Sequence, residues 1–158
     1  MRRVLLIPAL VVLGCSSAYN RAYEKETQRL EAQAAAEHRQ QEALYAEASR
    51  YAAVVYFATG SSTVTTDGQR ELRWFAGKMQ PFPKAMILAQ GFADSTGAEA
   101  ANQQLSEERA TAVKTYLASL GIDPSRIIAQ GFGTGSPAAT NTTTTGRRDN
   151  RRVEVTVR

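Results

Sequence analysis

The sequence has very few of the side chains that bind metals or form disulfide bonds. Its 158 residues include one cysteine, Cys15, and one histidine, His38. One cysteine excludes a disulfide bond within the chain, and a zinc site usually needs three or four such ligands. No nucleophile–base pair is visible either. The adjacent Glu107 and Glu108 point in different directions from a helix, so they do not form a catalytic carboxylate pair. We therefore expect no metal site, no cofactor and no enzymatic activity.

Long apolar runs are also missing. The run near the N-terminus, from Val4 to Leu13, has about ten residues, whereas a helix that spans a bilayer needs about 20. Arg2 and Arg3 precede this run, and the combination is typical of a secretory signal peptide. Residues 1–14 are therefore predicted to be a signal peptide.

The single cysteine follows the predicted signal peptide directly. The stretch Val12-Leu13-Gly14-Cys15 resembles the lipoprotein signal of bacteria. This resemblance implies that Cys15 becomes the first residue of the mature chain and carries acyl chains such as palmitate, in an acylated N-terminus at residues 15–20. Ser16, rather than an aspartate, follows the cysteine, which implies sorting to the outer membrane. The alternative is an ordinary secreted protein with a spare thiol.

Neither positive nor negative charge is in large excess in this sequence. The chain has 19 lysine and arginine residues against 15 aspartate and glutamate residues, and without Arg2 and Arg3 the count is 17 against 15, a net charge of +2. Several arginines lie near the C-terminus, but no aromatic side chains alternate with them, and we expect Arg152 among them to face solvent. The sequence therefore predicts no nucleic-acid partner.

Residues 21–50 are rich in alanine, glutamate, glutamine and arginine and contain no proline or glycine. Most of these residues are strong helix formers, so we predict a polar α-helical spacer over this range. Tyr23, Leu30 and Leu44 follow a seven-residue repeat that Glu37 interrupts. Such a thin apolar stripe is typical of a spacer or of a marginal coiled coil.

Residues 51–158 alternate between short apolar runs, typical of strands, and longer segments with helical periodicity. Two helices are predicted to begin at the capping boxes Thr66-x-x-Gln69 and Thr96-x-x-Glu99. Residues 87–92 and 127–132 are identical at five of six positions, which suggests parallel neighbouring strands joined by a helical crossover. The second strand is nearly continuous in apolar residues, so we expect both its faces to be buried. The predicted class is α/β, with strands at residues 53–57, 85–89, 126–130 and 153–157 and a polar loop at residues 140–145.

Three polar side chains lie in unexpected places. Arg109 lies four residues from both Leu105 and Val113, inside the apolar stripe of the second helix. Asn102 lies two turns earlier on the same face, and Asp94 follows the second strand, at the end where α/β sheets bind ligands. Two interpretations remain open: a salt bridge between Asp94 and Arg109 that joins the loop to the helix, or a site of opposite charges that binds a zwitterion.

Three motifs surround these residues: Gly91-Phe92-Ala93-Asp94-x-x-Gly97, Asn102-x-x-Leu105-Ser106-x-x-Arg109 and Asn150-Arg151-Arg152-Val153-Glu154. In this order they resemble the OmpA-like C-terminal domain, a family that includes the peptidoglycan-associated lipoproteins. The resemblance covers about residues 52–158. It implies a βαβαβ-β fold, in which helices pack on a mixed four-stranded sheet.

The resemblance also implies a function, which is the non-covalent binding of peptidoglycan through the meso-diaminopimelate of its stem peptide. In the family, the residues at the positions of Asp94 and Arg109 contact the amine and the carboxylate of this amino acid. Those at the positions of Asn102 and Arg151 lie at or support the site, and the loop near Gly60 follows the first strand. The implied location is the bacterial outer membrane, with a lipid anchor and the domain facing the periplasm, so that the protein tethers the membrane to the wall. The alternative is an envelope scaffold that docks protein partners of the Tol system.

The sequence departs from the family pattern directly before the aspartate. Histidine and threonine are usual there, and Phe92 and Ala93 stand in their place. We expect Phe92 to pack in the domain. Ala93 lacks the hydroxyl group that could contact a ligand, so we expect weaker or differently shaped binding rather than its loss.

Overall fold

The structure is a computed structural model that describes residues 16–158. The predicted signal peptide and the lipid attachment at Cys15 lie outside the described residues. Contacts between residues divide the chain into a unit that ends at Gln41 and a unit from Glu42 to Arg158. Ala48 is fully buried in the second unit, so the last turn of the predicted spacer packs against the core that follows it.

The first helix, α1, covers Ser16–Ala48. Its residues are mostly strong helix formers without proline or glycine, which explains its length. In the unit that ends at Gln41 almost all described side chains are exposed, including Tyr19, Tyr23 and Leu30. Burial within that unit therefore contributes little to the stability of the helix. Among the helices of the described range, none carries an apolar stretch of the length that a bilayer requires.

Four strands in the described range form one mixed sheet. They are β1 (Ala53–Tyr56), β2 (Ile87–Gly91), β3 (Ile127–Gly131) and β4 (Arg152–Val157). The order across the sheet is β1-β4-β2-β3, with β4 antiparallel to both neighbours and β2 parallel to β3. The repeated sequence lies in register, because Gln90 pairs with Gln130. The predicted mixed four-stranded sheet with a parallel pair is confirmed.

Two helices, α2 (Thr66–Met79) and α3 (Glu99–Ser119), pack on one face of the sheet. The prediction that β2 is buried on both faces is wrong, because Leu88 and Gln90 keep partial exposure on the face that these helices leave uncovered. The core lies between the helices and the other face. Its fully buried apolar side chains include Val55, Leu72, Phe75, Ile87, Ala89, Val113, Leu117, Val153 and Val155.

Both predicted capping boxes are wrong by one to two residues. α2 is capped by Thr65, whose Oγ1 accepts a hydrogen bond from Gly68 N at 3.1 Å. α3 follows Ala98, which provides no side-chain cap. Thr96 lies in the preceding loop, where its N–H donates to Oδ1 of Asp94 at 2.9 Å. Periodicity thus locates the helices, whereas competing local hydrogen bonds decide where they begin.

A short helix, α4 (Thr144–Asn150), overlaps the end of the predicted polar loop. Its threonine-rich start has low helix propensity, but Oγ1 of Thr143 caps it by accepting a hydrogen bond from Gly146 N at 3.0 Å. Asn150 is fully buried, and it donates to Ala139 O at 2.8 Å and accepts from Ala139 N at 2.9 Å. These contacts hold α4 directly before β4.

The repeated glycines at the ends of β2 and β3 have a packing reason. α3 crosses the sheet so closely that a Cβ atom at Gly91 would meet the carbonyl oxygen of Ser106. A Cβ atom at Gly131 would lie 2.5 Å from the backbone nitrogen of Glu107. The repeat therefore marks the place where one turn of α3 lies against the parallel pair.

We expect Gly91→Ala to lower the free energy of unfolding by about 2–3 kcal/mol, because the added methyl group forces α3 away from the sheet. Gly77→Ala is the matched control. Gly77 lies inside α2 with no other part of the structure within 4 Å of its Cβ position, so the free energy of unfolding should rise by about 0.5–1 kcal/mol. Urea unfolding followed by circular dichroism measures both changes. Equal stability of Gly91→Ala and the parent chain would contradict the close contact.

Candidate ligand-binding site

The residues of the predicted site lie at one end of the sheet, where β1 and β2 end and β4 begins. Gly60 is in the loop after β1, and Asp94 is in the loop after β2. Asn102 and Arg109 are on α3, and Arg151 directly precedes β4. Because β4 runs antiparallel to both β1 and β2, its start lies beside their ends. The fold thus gathers residues that are far apart in the sequence around one charged cluster.

Arg109 is the largest fully buried side chain among the described residues, with 0% of its surface exposed. Its Nε donates to Ser61 O at 2.9 Å, its Nη1 to Phe92 O at 3.0 Å and its Nη2 to Ala58 O at 3.0 Å. The guanidinium carbon lies 5.3 Å from the centre of the Phe57 ring. Three backbone carbonyls and an aromatic face therefore replace the water that this cation loses on burial.

Two N–H bonds of Arg109 remain without an acceptor among the described residues. A guanidinium has five N–H bonds, and Nη1 and Nη2 each use only one of their two, for the carbonyl oxygens of Phe92 and Ala58. Spare donors on both terminal nitrogens are what a carboxylate needs for binding through both of its oxygens. The side chain thus keeps a capacity for one more ligand.

Burial lowers the pKa of Arg109 to about 10. The nearby charge of Arg151 acts in the same direction, whereas the charge of Asp94 raises the pKa. At neutral pH the guanidinium stays protonated, so the cluster contains a buried cation.

Asp94 forms its ion pair with Arg151 and not with Arg109. Its Oδ2 accepts a hydrogen bond from Arg151 Nη1 at 2.9 Å, and its Oδ1 accepts one from Thr96 N at 2.9 Å. The interpretation of Asp94 and Arg109 as a salt bridge is therefore wrong, because backbone carbonyls take the donors of Arg109. Burial tends to raise the pKa of Asp94, but the hydrogen bonds from Arg151 and Thr96 outweigh it, and the pKa is lowered.

The loop after β2 is fixed from two sides. From α3, Asn102 Nδ2 donates to Thr96 O at 3.1 Å. From the other side, Asn141 Oδ1 accepts a hydrogen bond from Ser95 N at 3.1 Å and another from Asn150 Nδ2 at 2.9 Å. Sequence reasoning missed Asn141 and Asn150 as supports of the site. The one signal for Asn150 was its position at the start of the Asn-Arg-Arg motif.

Gly60 forms the turn that brings two carbonyl groups to Arg109. Ser61 N donates to Ala58 O at 3.2 Å, which closes a four-residue turn with Gly60 at its third position. Gly60 has a φ of +65°, the left-handed conformation that a type II turn requires there. The carbonyls of Ala58 and Ser61 both accept hydrogen bonds from Arg109. Gly60 thus positions backbone acceptors around the buried cation.

The prediction that Arg152 faces solvent is wrong. Only 6% of this residue is exposed, and its guanidinium carbon lies 4.1 Å from the centre of the Phe92 ring. Its Nε donates to Glu154 Oε1 at 2.6 Å, and its Nη2 donates to Ser136 O at 3.2 Å. Phe92 stacks on Phe132 with ring centres 5.5 Å apart, which confirms that Phe92 packs in the domain. The ring of Phe92 thus covers Arg152 on the face of the sheet opposite α3.

The charged cluster is closed, and a groove leads to its edge. Asp94 is 5% exposed and Arg109 not at all, whereas 14% of the Arg151 side chain is exposed. Phe57, Ala58 and Arg151 also line an open groove of about 420 Å³ beside β1. Of the three charges, Arg151 is therefore the one that lies next to open space.

Comparison with known proteins identifies relatives of the chain. A sequence model of the OmpA family matches residues 56–151. The chain is 43% identical over 102 residues to outer membrane protein A of Bordetella avium and 39% identical over 103 residues to the probable lipoprotein YiaD of Escherichia coli strain K12. Each match covers 65% of this chain and 53% or 47% of the relative, so the chain spans about half the length of the curated relatives it matches.

A solved structure shares the fold. The crystal structure of the peptidoglycan-associated lipoprotein from Burkholderia pseudomallei superimposes on this chain with a TM-score of 0.64 and 29% sequence identity. The superposition covers 67% of this chain and 90% of the lipoprotein chain. The resemblance that the motifs indicate is therefore confirmed by both sequence and fold.

We expect Arg109→Ala to lower the free energy of unfolding by about 3–5 kcal/mol, because three carbonyl oxygens lose their donor beside a new cavity. Arg109→Lys should lower the free energy of unfolding by a smaller amount, since an ammonium group still donates to nearby carbonyls although it lacks the planar fork of a guanidinium. Urea unfolding measures both losses. Unchanged stability of Arg109→Ala would contradict a structural role for these hydrogen bonds.

The lowered pKa of Asp94 predicts an acid-sensitive part of the stability. Such a carboxylate stabilises the folded state above its unfolded pKa of about 3.9, and the contribution is lost as the pH falls through the lower, folded pKa. Between about pH 5 and pH 2 the parent chain should therefore lose more stability than Asp94→Asn, which has no charge to lose. Unfolding free energies measured across this range test the prediction. Parallel curves for the two proteins would show that the pair with Arg151 does not stabilise the fold.

Proposed function

Because the chain belongs to the OmpA family, we propose that it binds peptidoglycan non-covalently through the meso-diaminopimelate of the stem peptide. The observation that carries the proposal is a buried cation close to a buried anion. Arg109 keeps a spare N–H bond on each terminal nitrogen, and Asp94 is close enough to shift its pKa. The side chain of diaminopimelate ends in an amino group and a carboxylate on one carbon. The two charges of the site complement these two groups.

In the proposed complex the carboxylate of diaminopimelate accepts hydrogen bonds from Nη1 and Nη2 of Arg109, and its ammonium group lies against Asp94. Arg151 keeps Asp94 ionised and oriented through a hydrogen bond of 2.9 Å. Asn102 holds the loop that carries Asp94. Recognition of this kind involves no covalent step, so the protein acts as a tether rather than an enzyme.

The cluster has to open before a ligand can enter. Arg109 has no exposed surface, and the turn with Ala58 and Ser61 is bonded to it. In the proposal this turn moves outward, and the hydrogen bonds that the ligand carboxylate accepts from the spare N–H bonds of Nη1 and Nη2 offset those that Ala58 and Ser61 give up. The exchange of acceptors keeps the cation hydrogen-bonded, which limits the free-energy cost of opening.

For the whole protein we propose an outer-membrane lipoprotein. Residues 1–14 are the signal peptide, Cys15 carries the lipid in an acylated N-terminus at 15–20, residues 21–50 are a spacer and residues 51–158 are the binding domain. The lipoprotein-type signal sequence supports this proposal, as does similarity to proteins named probable lipoprotein and peptidoglycan-associated lipoprotein. In this arrangement the domain faces the periplasm and tethers the outer membrane to the wall.

An envelope scaffold that docks protein partners, such as those of the Tol system, is the second candidate. The observation that favours it is the exposed surface of α1, where Tyr19, Tyr23 and Leu30 are 72%, 54% and 57% exposed. Pull-downs from envelope extracts with and without residues 21–50 separate the two candidates. A protein partner that is lost with this segment, while wall binding is also absent, would favour the scaffold.

Co-sedimentation with purified sacculi tests the proposed site. We expect Asp94→Asn to weaken binding about tenfold or more, because the ligand ammonium loses its counter-charge while the amide keeps the shape of the side chain. Asp123→Asn makes the same charge change at an exposed residue near the start of β3, at the opposite end of the sheet, and should bind like the parent. Sedimentation of Asp94→Asn at the parental level would remove the support for this site.

Competition by free amino acids tests the role of Arg109. Free meso-diaminopimelate should displace the protein from sacculi, whereas lysine, which lacks the second carboxylate, should not. Arg109→Lys should narrow this difference, because a single ammonium cannot hold both oxygens of a carboxylate in the planar geometry of a guanidinium. Equal competition by the two amino acids with the parent chain would contradict the assignment of the carboxylate to Arg109.

A further inference from the structure

The groove of about 420 Å³ runs along the free edge of the sheet, next to the charged cluster. One wall is β1, with Val54 and Tyr56, and a second wall is the start of α2. The third wall consists of Arg148 and Arg151. β1 is the outer strand on this side of the described sheet, so the groove lies open beside it.

The groove is continuous with the proposed binding site. Phe57 O, on the groove wall, accepts a hydrogen bond from Arg151 Nε at 3.1 Å. Ala58 O, also on the wall, accepts one from Arg109 Nη2 at 3.0 Å. Arg151 reaches from the groove to Asp94. If diaminopimelate is held between Asp94 and Arg109, the part of the stem peptide attached to it therefore lies close to this groove.

The walls of the groove carry opposite charges. Arg148 is exposed, and its side chain has no hydrogen bond or ion pair with the described residues. It lies in the last turn of α4, three residues before Arg151, which follows this helix, and both arginines line the groove. On the α2 wall, Glu71 is half-buried, and Asp67 is paired with Arg70 at 2.8 Å. The available positive charge is thus on the α4 wall.

We infer, on the basis of the proposed function, that this groove binds the part of the stem peptide that precedes diaminopimelate, with a carboxylate of that part on Arg148. The preceding residue of the stem peptide is a glutamate joined through its γ-carboxyl group, so its α-carboxylate is free. The diaminopimelate side chain and the γ-linked glutamate lie between this α-carboxylate and the carboxylate held by Arg109. A ligand of this kind can therefore extend from the charged cluster along the groove that Arg148 lines.

The mixed charges of the groove favour a peptide over a polyanion, because its lining includes both arginines and carboxylates: Asp67, Arg70, Glu71, Arg148 and Arg151. A nucleic acid or another chain of phosphates would bring repeated negative charge against Glu71 and Asp67. A stem peptide has one carboxylate at this position and neutral amides around it. The charge distribution thus fits the same ligand that the cluster of Asp94 and Arg109 fits.

A wider depression of about 730 Å³ along the outer face of α3 lacks these features. Its charged residues, Glu107 and Glu108, accept hydrogen bonds from Gln103 and Gln104 at 2.8 and 2.9 Å. Its lining contains no cation, and it does not include a residue of the charged cluster. Size alone therefore does not mark it as the continuation of the site.

The experiment compares three soluble probes by isothermal titration calorimetry: meso-diaminopimelate, the tripeptide L-Ala-γ-D-Glu-meso-diaminopimelate, and the same tripeptide with the glutamate α-carboxylate amidated. We expect the parent chain to bind the acidic tripeptide about three- to tenfold more tightly than the amidated one. Arg148→Gln should remove this difference and leave the affinity for free diaminopimelate unchanged. Arg158→Gln changes an exposed arginine at the opposite end of β4 and should keep the difference.

Each other outcome overturns the inference. Equal affinity of the parent chain for the two tripeptides, or a difference that persists in Arg148→Gln, overturns it and leaves the proposed function intact. Lower affinity of Arg148→Gln for free diaminopimelate would place Arg148 in the diaminopimelate pocket instead. Tighter binding of polyphosphate than of the acidic tripeptide would assign the groove to polyanions. Lack of binding to all three probes and to sacculi would overturn the proposed function as well. If Arg148→Gln and Arg158→Gln unfold at the same midpoint as the parent chain, the changes in affinity reflect binding and not a loss of folding.

Discussion

The buried guanidinium of Arg109 is the interaction on which the arrangement of the site depends. It hydrogen-bonds the carbonyl groups of the turn after β1 and of the end of β2, so that two segments far apart in the sequence are tied to α3. Burying an isolated cation costs several kcal/mol, and here carbonyl dipoles, the ring of Phe57 and the charge of Asp94 offset this cost. The guanidinium that stabilises the closed loops also keeps the two further N–H bonds that a carboxylate ligand requires. Stability and binding therefore depend on the same side chain.

The cluster contains more cations than anions, and this difference affects which ligands it can bind. Two cations, Arg109 and Arg151, lie with one anion, Asp94, which pairs with the more exposed cation. The deeper cation is left with neutral carbonyl partners, and a ligand carboxylate is a stronger acceptor for it than they are. The pairing of Asp94 with Arg151 also keeps the aspartate ionised. An incoming zwitterion thus finds each of its charges opposite an ionised group of the protein.

Periodicity and repetition in the sequence predict much of the fold. The repeated Ile-x-Ala-Gln-Gly-Phe sequence correctly indicates a parallel pair, and its glycines leave room for α3, which passes directly over them. Helix starts are less predictable, since Thr65 and Thr66 are both suitable caps and the choice depends on neighbouring hydrogen bonds. α4 is not predictable from local sequence, because the residue that supports it, Asn150, hydrogen-bonds to a loop eleven residues away. The burial of Arg152 is not predictable either, because the ring that covers it, Phe92, follows a different strand, β2.

The sequence by itself determined the four strands, the three longer helices, the parallel strand pair, and the identity of the polar residues that do not fit their apolar surroundings. Only the tertiary structure decided which groups these residues bond: Asp94 with Arg151, and Arg109 with backbone carbonyls. The physical reason is that a guanidinium has five N–H donors and can donate to any suitably placed oxygen. Sequence spacing brings Asp94 and Arg109 to the same end of the sheet, but the positions of the loops decide which oxygens lie within hydrogen-bond distance of Arg109.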